Sequence, residues 1–280
     1  MVLISKHPYD IIETLYSGQA FRWNKLANSD VNEGIVERTR IRIIQDEEGI
    51  HCEFGADTGF NEDSMKKYLR LDDDLSLIYS QMSSDDYFNQ AQKLYNGLHI
   101  LRQDPWECLI TFICSANNNI PRIKSLVNSM AEHCGQKLID RFGNFYAFPT
   151  PNEIFEFGED GLRAIGLGFR AKYVARAANM VLDEETDLKY YRGLSYEEAL
   201  ENLIRFPGVG DKVANCVLLF SMDKLQAFPV DVWIKRVLRE NYLKGGKKIP
   251  DNGLRVWAQE HFGQFAGYAN QYLFHQKRLT

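Results

Sequence analysis

An amine and a carboxylate that flank one apolar helix are the residues of this chain best suited to chemistry. Lys212 follows the turn Pro207-Gly208-Val209-Gly210, and Asp231 follows Phe228-Pro229-Val230. A neutral lysine can attack an electrophilic carbon and hold it as a Schiff base. A carboxylate aimed at the same place can stabilise a cationic transition state or take a proton. The turn supplies a third part. Gly208 and Gly210 allow positive backbone dihedrals and close approach of another backbone. The amides opening the helix from Asp211 lack internal partners and carry the positive end of its dipole, where a phosphate is welcome. A phosphate clamp, an amine and a carboxylate together suggest nucleophilic chemistry on a nucleic acid. Singly, each has a plainer explanation. The glycines suit any helix hairpin, Lys212 suits a solvated surface, and Asp231 suits an N-cap for a helix with Val232, Ile234, Val237 and Leu238 on its apolar face. A cation is nevertheless the wrong charge for a helix N-terminus, so Lys212 there needs a reason.

Holding these groups requires a helix, a tight turn, a second helix, a loop and a third helix. Pro207 cannot donate to a helix ladder and the residue before it avoids helical angles, so the first helix ends near Phe206. Beyond about residue 98 the chain reads as helical, punctuated by Pro, Gly and Asn. Leu109 to Cys114 forms a buried helix leading into a turn at Asn117, and a further helix runs from Tyr173 through Val181, with Arg170 and Lys172 at its start. The earlier part reads as β. Gly34 to Gln45 is rich in Val, Ile and Thr with alternating Arg, and Asp46-Glu47-Glu48-Gly49 turns into Ile50 to Phe54. The run Leu71-Asp72-Asp73-Asp74 reads as a solvated helix start. The expected fold is α+β. An N-terminal antiparallel β-sheet domain with flanking helices spans 1–97. A helical domain of two lobes spans 98–280, with a helix-hairpin-helix at about 203–220 and a DNA-binding cleft between lobes.

Composition narrows the function. The chain has 280 residues, 45% of them hydrophobic, enough for a substantial core, and no run suited to spanning a membrane. Met1 to Lys6 lacks the features of a signal peptide, so an intracellular protein is expected, in cytoplasm and nucleoid or in a nucleus. Cys52, Cys108, Cys114, Cys134 and Cys216 contain no Cys-x-x-Cys pair, which argues against a zinc ribbon or a disulfide scaffold. The histidines show no metal-binding pairing. No catalytic metal or redox cofactor is expected, whereas a structural cation on the hairpin carbonyls is left open. The net charge of −5 is unevenly spread. Residues 1–86 hold 9 Lys and Arg against 17 Asp and Glu, and the remainder holds 24 against 21. Nucleic-acid binding should therefore rest on local contacts and helix N-termini rather than on a strong overall field.

Several further runs carry a resemblance. They are Ser17-Gly18-Gln19-Ala20-Phe21-Arg22-Trp23, Asp104-Pro105-Trp106-Glu107-Cys108, Phe112-Ile113-Cys114-Ser115-Ala116-Asn117-Asn118-Asn119-Ile120, Gly166-Leu167-Gly168-Phe169-Arg170-Ala171-Lys172-Tyr173 and Ala266-Gly267-Tyr268-Ala269-Asn270. With the hairpin and Asp231, in this order over nearly the whole chain, they resemble the 8-oxoguanine DNA glycosylase/lyase family. The resemblance implies a bifunctional enzyme of base-excision repair, a monomer acting on double-stranded DNA with 8-oxoguanine opposite cytosine. Lys212 would attack the anomeric carbon and then permit β-elimination, with Asp231 stabilising charge on the sugar. The Gly18 carbonyl would accept from the protonated N7 of 8-oxoguanine, where guanine would oppose lone pair to lone pair. Cys216 and Phe274 would sandwich the flipped base, and Asn270 would read its edge. Asn117 would fill the gap in the duplex, Arg122 and Arg170 would read the orphaned cytosine, and Phe169 would act as a wedge. Gly208 and Gly210 would hold a phosphate. From the residues alone, Phe169, Phe274 and Cys216 equally fit a core, and Asn117 a turn. Three positions depart from the family: Asn270 stands for a longer Gln, Trp233 for a His and Phe169 for a Tyr. The absence of cysteines beyond Cys216 excludes the C-terminal iron–sulfur loop of related glycosylases. Two rival readings are a monofunctional glycosylase for alkylated bases, to which Lys212 is superfluous, and a non-catalytic hairpin module, which leaves the amine and carboxylate unexplained. The base pocket requires Gly18 to approach Phe274, so the two ends of the chain are expected to be neighbours.

Overall fold

Strict alternation in Thr39-Arg40-Ile41-Arg42-Ile43 gives one strand two unlike faces, and both are used. In the computed structural model, which describes all residues except 83, 184–185, 244–248 and 280, this strand lies at the centre of a five-stranded antiparallel sheet. The strands are β1 (Val2–Leu3), β2 (Trp23–Lys25), β3 (Asn32–Val36), β4 (Thr39–Gln45) and β5 (Ile50–Phe54), in the order β1-β5-β4-β3-β2. Register sets Ile41 opposite Phe54 and Ile43 opposite Cys52. Ile41, Ile43, Ile50 and Trp23 bury one face against Leu15 of α1 (Ile11–Tyr16) and Met65 of α2 (Glu62–Tyr68).

The arginine face meets a second, two-stranded sheet, β6 (Lys137–Asp140) paired with β7 (Gly143–Tyr146). Arg40 donates to both Asp140 oxygens, at 3.1 and 2.9 Å, and Arg42 lies 3.9 Å from the centre of the Phe142 ring. Fork-to-carboxylate pairing of this kind is strong and directional. The alternating arginines noted in the sequence are thus an interlobe clasp. The hairpin itself departs from the all-helical reading of that region, because β6 and β7 are short and gain their partner from the distant sheet.

The remaining elements are helical: α3 (Leu75–Gln81), α4 (Asp86–Leu94), α5 (Pro105–Cys114), α6 (Ile120–Cys134), α7 (Pro151–Ala164), α8 (Arg170–Asp183), α9 (Tyr196–Ile204), α10 (Asp211–Ser221), α11 (Val232–Val237), α12 (Asp251–Phe262) and α13 (Ala266–Leu279). They surround one large core in which α10 is buried on all sides from Val213 to Ser221. A helix apolar around its full circumference belongs at such a centre. Placed by sequence with the β lobe, α3 and α4 instead bury Leu75, Ile78, Phe88 and Ala91 in this helical core. The apolar faces of both helices find α13 and its neighbours rather than the sheet. The acidic run ahead of α3 is only partly solvated. Asp74 caps the helix, whereas Asp73 lies 3.7 Å from Arg70 and accepts from Tyr268 at 2.5 Å.

Two of the motif runs act at the junction between the lobes. Asp104 caps α5 by accepting from Trp106 and Glu107, both at 3.0 Å. Arg22 donates to the Tyr146 carbonyl and lies 4.0 Å from Glu107. Burial pushes the Glu107 carboxyl up to about 7, against the opposing pull of Arg22.

Candidate active site

A cavity of about 830 Å³ opens where the loop after α1, the α5–α6 turn, the start of α10, the start of α11 and one face of α13 converge. Gly18, Asn117, Lys212, Cys216, Asp231, Asn270 and Phe274 all line it. Seven positions spread from one end of the sequence to the other are therefore brought together, including the two chain ends.

The hairpin builds the first part. α9 closes at Ile204 and α10 begins at Asp211. Gly208 takes φ 80, and a Cβ there would lie 2.7 Å from the Tyr173 ring, so glycine is required on both counts. Gly210 is the N-cap of α10 and offers its amides no side-chain acceptor. Asp211 turns away from the cavity to pair with Arg255 of α12 at 3.0 Å. Arg255 also donates to Tyr196, which donates to Asn215 at 2.7 Å, and Asn215 donates to the Asp211 carbonyl at 2.8 Å. This network pins the first turn of α10 and leaves Lys212 as its charged group on the cavity.

Lys212 Nζ donates to Ser115 Oγ at 2.9 Å and lies 5.4 Å from the Phe112 ring centre. The Ser115 hydroxyl gives its own proton to the Phe112 carbonyl at 2.7 Å, so its oxygen is held as an acceptor for the lysine. Ser115 stood in a quoted motif but had no role assigned; a short hydroxyl just after an apolar helix is too common to signal one. Asp231 caps α11, and both amides it accepts from, Trp233 at 3.0 Å and Ile234 at 2.8 Å, go to Oδ1. Among the described residues Oδ2 receives no hydrogen bond. Burial raises the Asp231 pKa, while the Ile234 amide and the Lys212 charge pull it back. Burial also pushes the Cys216 thiol up to about 11, with Lys212 opposing, so Cys216 faces the cavity as a neutral thiol.

Gly18, Phe274 and Cys216, the residues expected to hold a base, all line this cavity. Gly18 has φ 85, and a Cβ on it would lie 2.9 Å from Ile120 and 3.2 Å from the Phe274 ring. Asn270 is buried and gives its amide to the Pro229 carbonyl at 2.8 Å. One of its two N–H groups thus holds the backbone just ahead of Asp231, while the other and the oxygen remain. Gln271 and Arg278 also line the cavity and escaped the sequence reading. Their spacing from Phe274 at i−3 and i+4 on one helix was the available signal.

The residues expected to meet DNA lie at the rim. Asn117 takes φ 49 in the α5–α6 turn. Arg170 donates to the carbonyls of Ala116 and Asn117, at 3.0 and 2.9 Å, and so braces that turn. Arg122 donates to the Gly166 carbonyl at 3.0 Å. Phe169 is 51% exposed beside Arg170, whose guanidinium lies 4.4 Å from its ring centre. Its neighbour Leu167 is fully buried in the core, so the loop is anchored there while the Phe169 ring stands in solvent at the rim. Trp233, in place of the family's His, is half-buried with Arg236 stacked 5.3 Å from its ring centre. Among the described residues no group of three His, Cys, Asp or Glu converges as metal ligands would. No helix among them is long and apolar enough to cross a membrane.

Comparison with known proteins bears on this arrangement. Residues 110–255 match the family model described as HhH-GPD superfamily base excision DNA repair protein, and residues 1–109 match that of the 8-oxoguanine DNA glycosylase N-terminal domain. The N-glycosylase/DNA lyase of Saccharomyces cerevisiae is 31% identical over 97% of this chain and 84% of its own length. A Clostridium acetobutylicum 8-oxoguanine glycosylase/lyase, solved with double-stranded DNA containing cytosine opposite 8-oxoG, superposes with a TM-score of 0.90 at 32% identity, covering 100% of this chain and 98% of that one. A 3-methyladenine DNA-glycosylase from Archaeoglobus fulgidus shares the fold with a TM-score of 0.81 at 22% identity. The chain belongs to the 8-oxoguanine DNA glycosylase family of helix-hairpin-helix base-excision repair proteins.

Proposed function

We infer that the protein is a bifunctional DNA glycosylase and lyase of base-excision repair that removes 8-oxoguanine from duplex DNA, opposite cytosine. The observation that carries this reading is the shared cavity, where Lys212 is steadied by Ser115 and Asp231 keeps one carboxylate oxygen free. The target nucleotide is turned out of the helix into the pocket, because its sugar carbon is inaccessible within the stack. Cys216 and Phe274 hold the base on its two faces. The Lys212 amine, once it has given a proton to solvent, attacks C1′, the N-glycosidic bond breaks, and its electron pair leaves with the base, which takes up a proton. Asp231 Oδ2 faces the positive charge that develops on the sugar, an electrostatic contribution strengthened by its buried setting. The amine loses a proton as the sugar ring opens to an imine. Removal of a C2′ proton then expels the 3′ phosphate by β-elimination, and water returns the lysine.

At the rim, the uncapped amides that open α10 after Gly210 hold a backbone phosphate, with the tight turn at Gly208 setting their approach. Asn117 occupies the space that the base vacated, and Phe169 wedges the duplex. Arg122 and Arg170 present their charge to the opposite strand. Asn270 contributes through its second N–H and its oxygen, and through the Pro229 carbonyl that it holds. The chemistry draws on an amine and a carboxylate and requires no metal or redox group. The enzyme works as a monomer where the genome is kept, in a nucleoid or a nucleus.

The test is a product profile. Wild type incubated with a duplex bearing 8-oxoguanine opposite cytosine should release the free base, nick the strand and form an adduct trapped by borohydride. Base release without any trapped adduct would instead identify a monofunctional enzyme using water. Binding without release would identify a non-catalytic module.

A further inference from the structure

The loop that carries Gly18 presents four successive carbonyls, and three already have donors. The Tyr16 carbonyl accepts from Arg278 Nη2 at 2.9 Å, Ser17 from Gln271 Nε2 at 3.1 Å, and Gln19 from Gln103 Nε2 at 2.7 Å. Among the described residues no hydrogen bond reaches the Gly18 carbonyl. Backbone acceptors away from water are almost always paired, so one left over beside a cavity marks a place where a donor is expected to arrive.

The clamps are themselves well held. Gln271 is buried, and Gln103 also accepts, through its own carbonyl, from Arg192 at 2.9 Å. Arg278 Nη2 donates to His275 Nδ1 at 3.0 Å, and a guanidinium can only donate. His275 therefore carries its proton on Nε2, which it gives to Glu13 of α1. Glu13, Tyr16 and Ser17 are thus tied to one side of α13, and the Nη1 edge of Arg278 lies within 3.6 Å of where a Cβ on Gly18 would be.

We propose that Gln103, Gln271 and Arg278 are positioning residues for lesion recognition. By claiming the carbonyls on either side, they fix this part of the loop and leave the Gly18 carbonyl, alone of the four, free for the N7–H of an oxidised purine. This rests on the functional reading above and names the residues that make its base pocket selective. Selectivity then comes from which carbonyl is left unpaired, since an intact purine offers N7 only as an acceptor and would leave that carbonyl unsatisfied.

Two activities of the same protein separate this role from a merely structural one. Excision of 8-oxoguanine needs the base pocket, whereas strand cleavage at a preformed abasic site needs only the amine and the carboxylate. For Gln271→Met and Gln103→Leu, single-turnover rates on both duplexes should give an excision-to-cleavage ratio about tenfold below that of wild type, as expected for loss of one hydrogen bond that orients a reading group. Gln271→Glu places a carboxylate against the Ser17 carbonyl and should lower the ratio further. A ratio unchanged in all three variants, or both rates falling together, overturns the proposal. Wild type that releases no 8-oxoguanine overturns the functional reading itself, whereas wild type that releases it with variants of equal ratio overturns the clamp alone.

Discussion

Two helix N-termini face the same cavity and are finished in opposite ways. α10 begins at Gly210 with no side-chain cap and carries Lys212 in its first turn. α11 begins at Asp231, which satisfies two of its amides through a single oxygen. Simple dipole logic would cap both and put a carboxylate, not an amine, in the first turn of α10. There the orthodox carboxylate, Asp211, is present but is drawn off to Arg255. The difference teaches how a fold separates stability from chemistry. One end lacks a side-chain cap and keeps open amides with an amine close by. The other caps with one carboxylate oxygen and, among the described residues, leaves the second without a hydrogen bond.

Removing the amine tests that contrast most severely. Lys212→Gln should abolish the borohydride-trapped adduct and strand cleavage, while gel-shift affinity for a lesion duplex stays close to wild type. An adduct at full yield would move the nucleophile elsewhere. Asp231→Asn comes next. Asn caps a helix about as well as Asp, so α11 should stay capped and the protein folded, yet single-turnover excision should fall by about 10²–10³-fold as a preorganised charge is lost. Unchanged excision would reduce Asp231 to a cap.

The acid limb of activity sharpens the same point. Burial raises the Asp231 pKa, so the carboxylate takes up its proton at a higher pH than an ordinary aspartate. Excision should therefore decline on acidification while ordinary carboxylates are still ionised, and Asp231→Asn should lack that limb. The stability sign is the reverse. A folded carboxyl with a raised pKa binds its proton more tightly than the unfolded chain does, so its contribution diminishes as pH rises from the ordinary value through the raised one. Melting curves across that window should show the Asn variant gaining on wild type toward neutral pH. The smallest effect belongs to Gly210→Ser. At φ −99, with nothing near a Cβ, the position accepts a side chain. A serine cap should stabilise α10 by a few tenths of a kcal/mol and weaken non-specific duplex binding by competing with phosphate for the same amides. Tighter binding would mean that those amides do not meet the backbone.

Much of this was legible because the hairpin writes its own punctuation. Pro207 and Gly208 each have one conformational use, although Gly210, expected to allow a positive dihedral, does not take one, and α10 is too uniformly apolar to lie anywhere but the centre. The sheet was legible from β4, where isoleucine and arginine alternate. Less legible was whatever depended on a partner far along the chain. α3 and α4 have ordinary apolar faces that fit either lobe, and only contact with α13 decides between them. The β6–β7 hairpin is too short to announce itself without Arg40 and Arg42. Asn270 looked like a truncated base reader, and its bond to Pro229 emerged only once α13 met the α10–α11 loop. Gln271 and Arg278 went unread for a related reason: their partners are backbone carbonyls, which no pattern of side chains records.

The arms that α13 sends to the loop after α1 impose an order in time. A ribosome makes α1 first and Gln271 and Arg278 nearly last, so the loop after α1 keeps its carbonyls unclamped until almost the whole chain exists. The first helix and the last are locked together only at the end of synthesis.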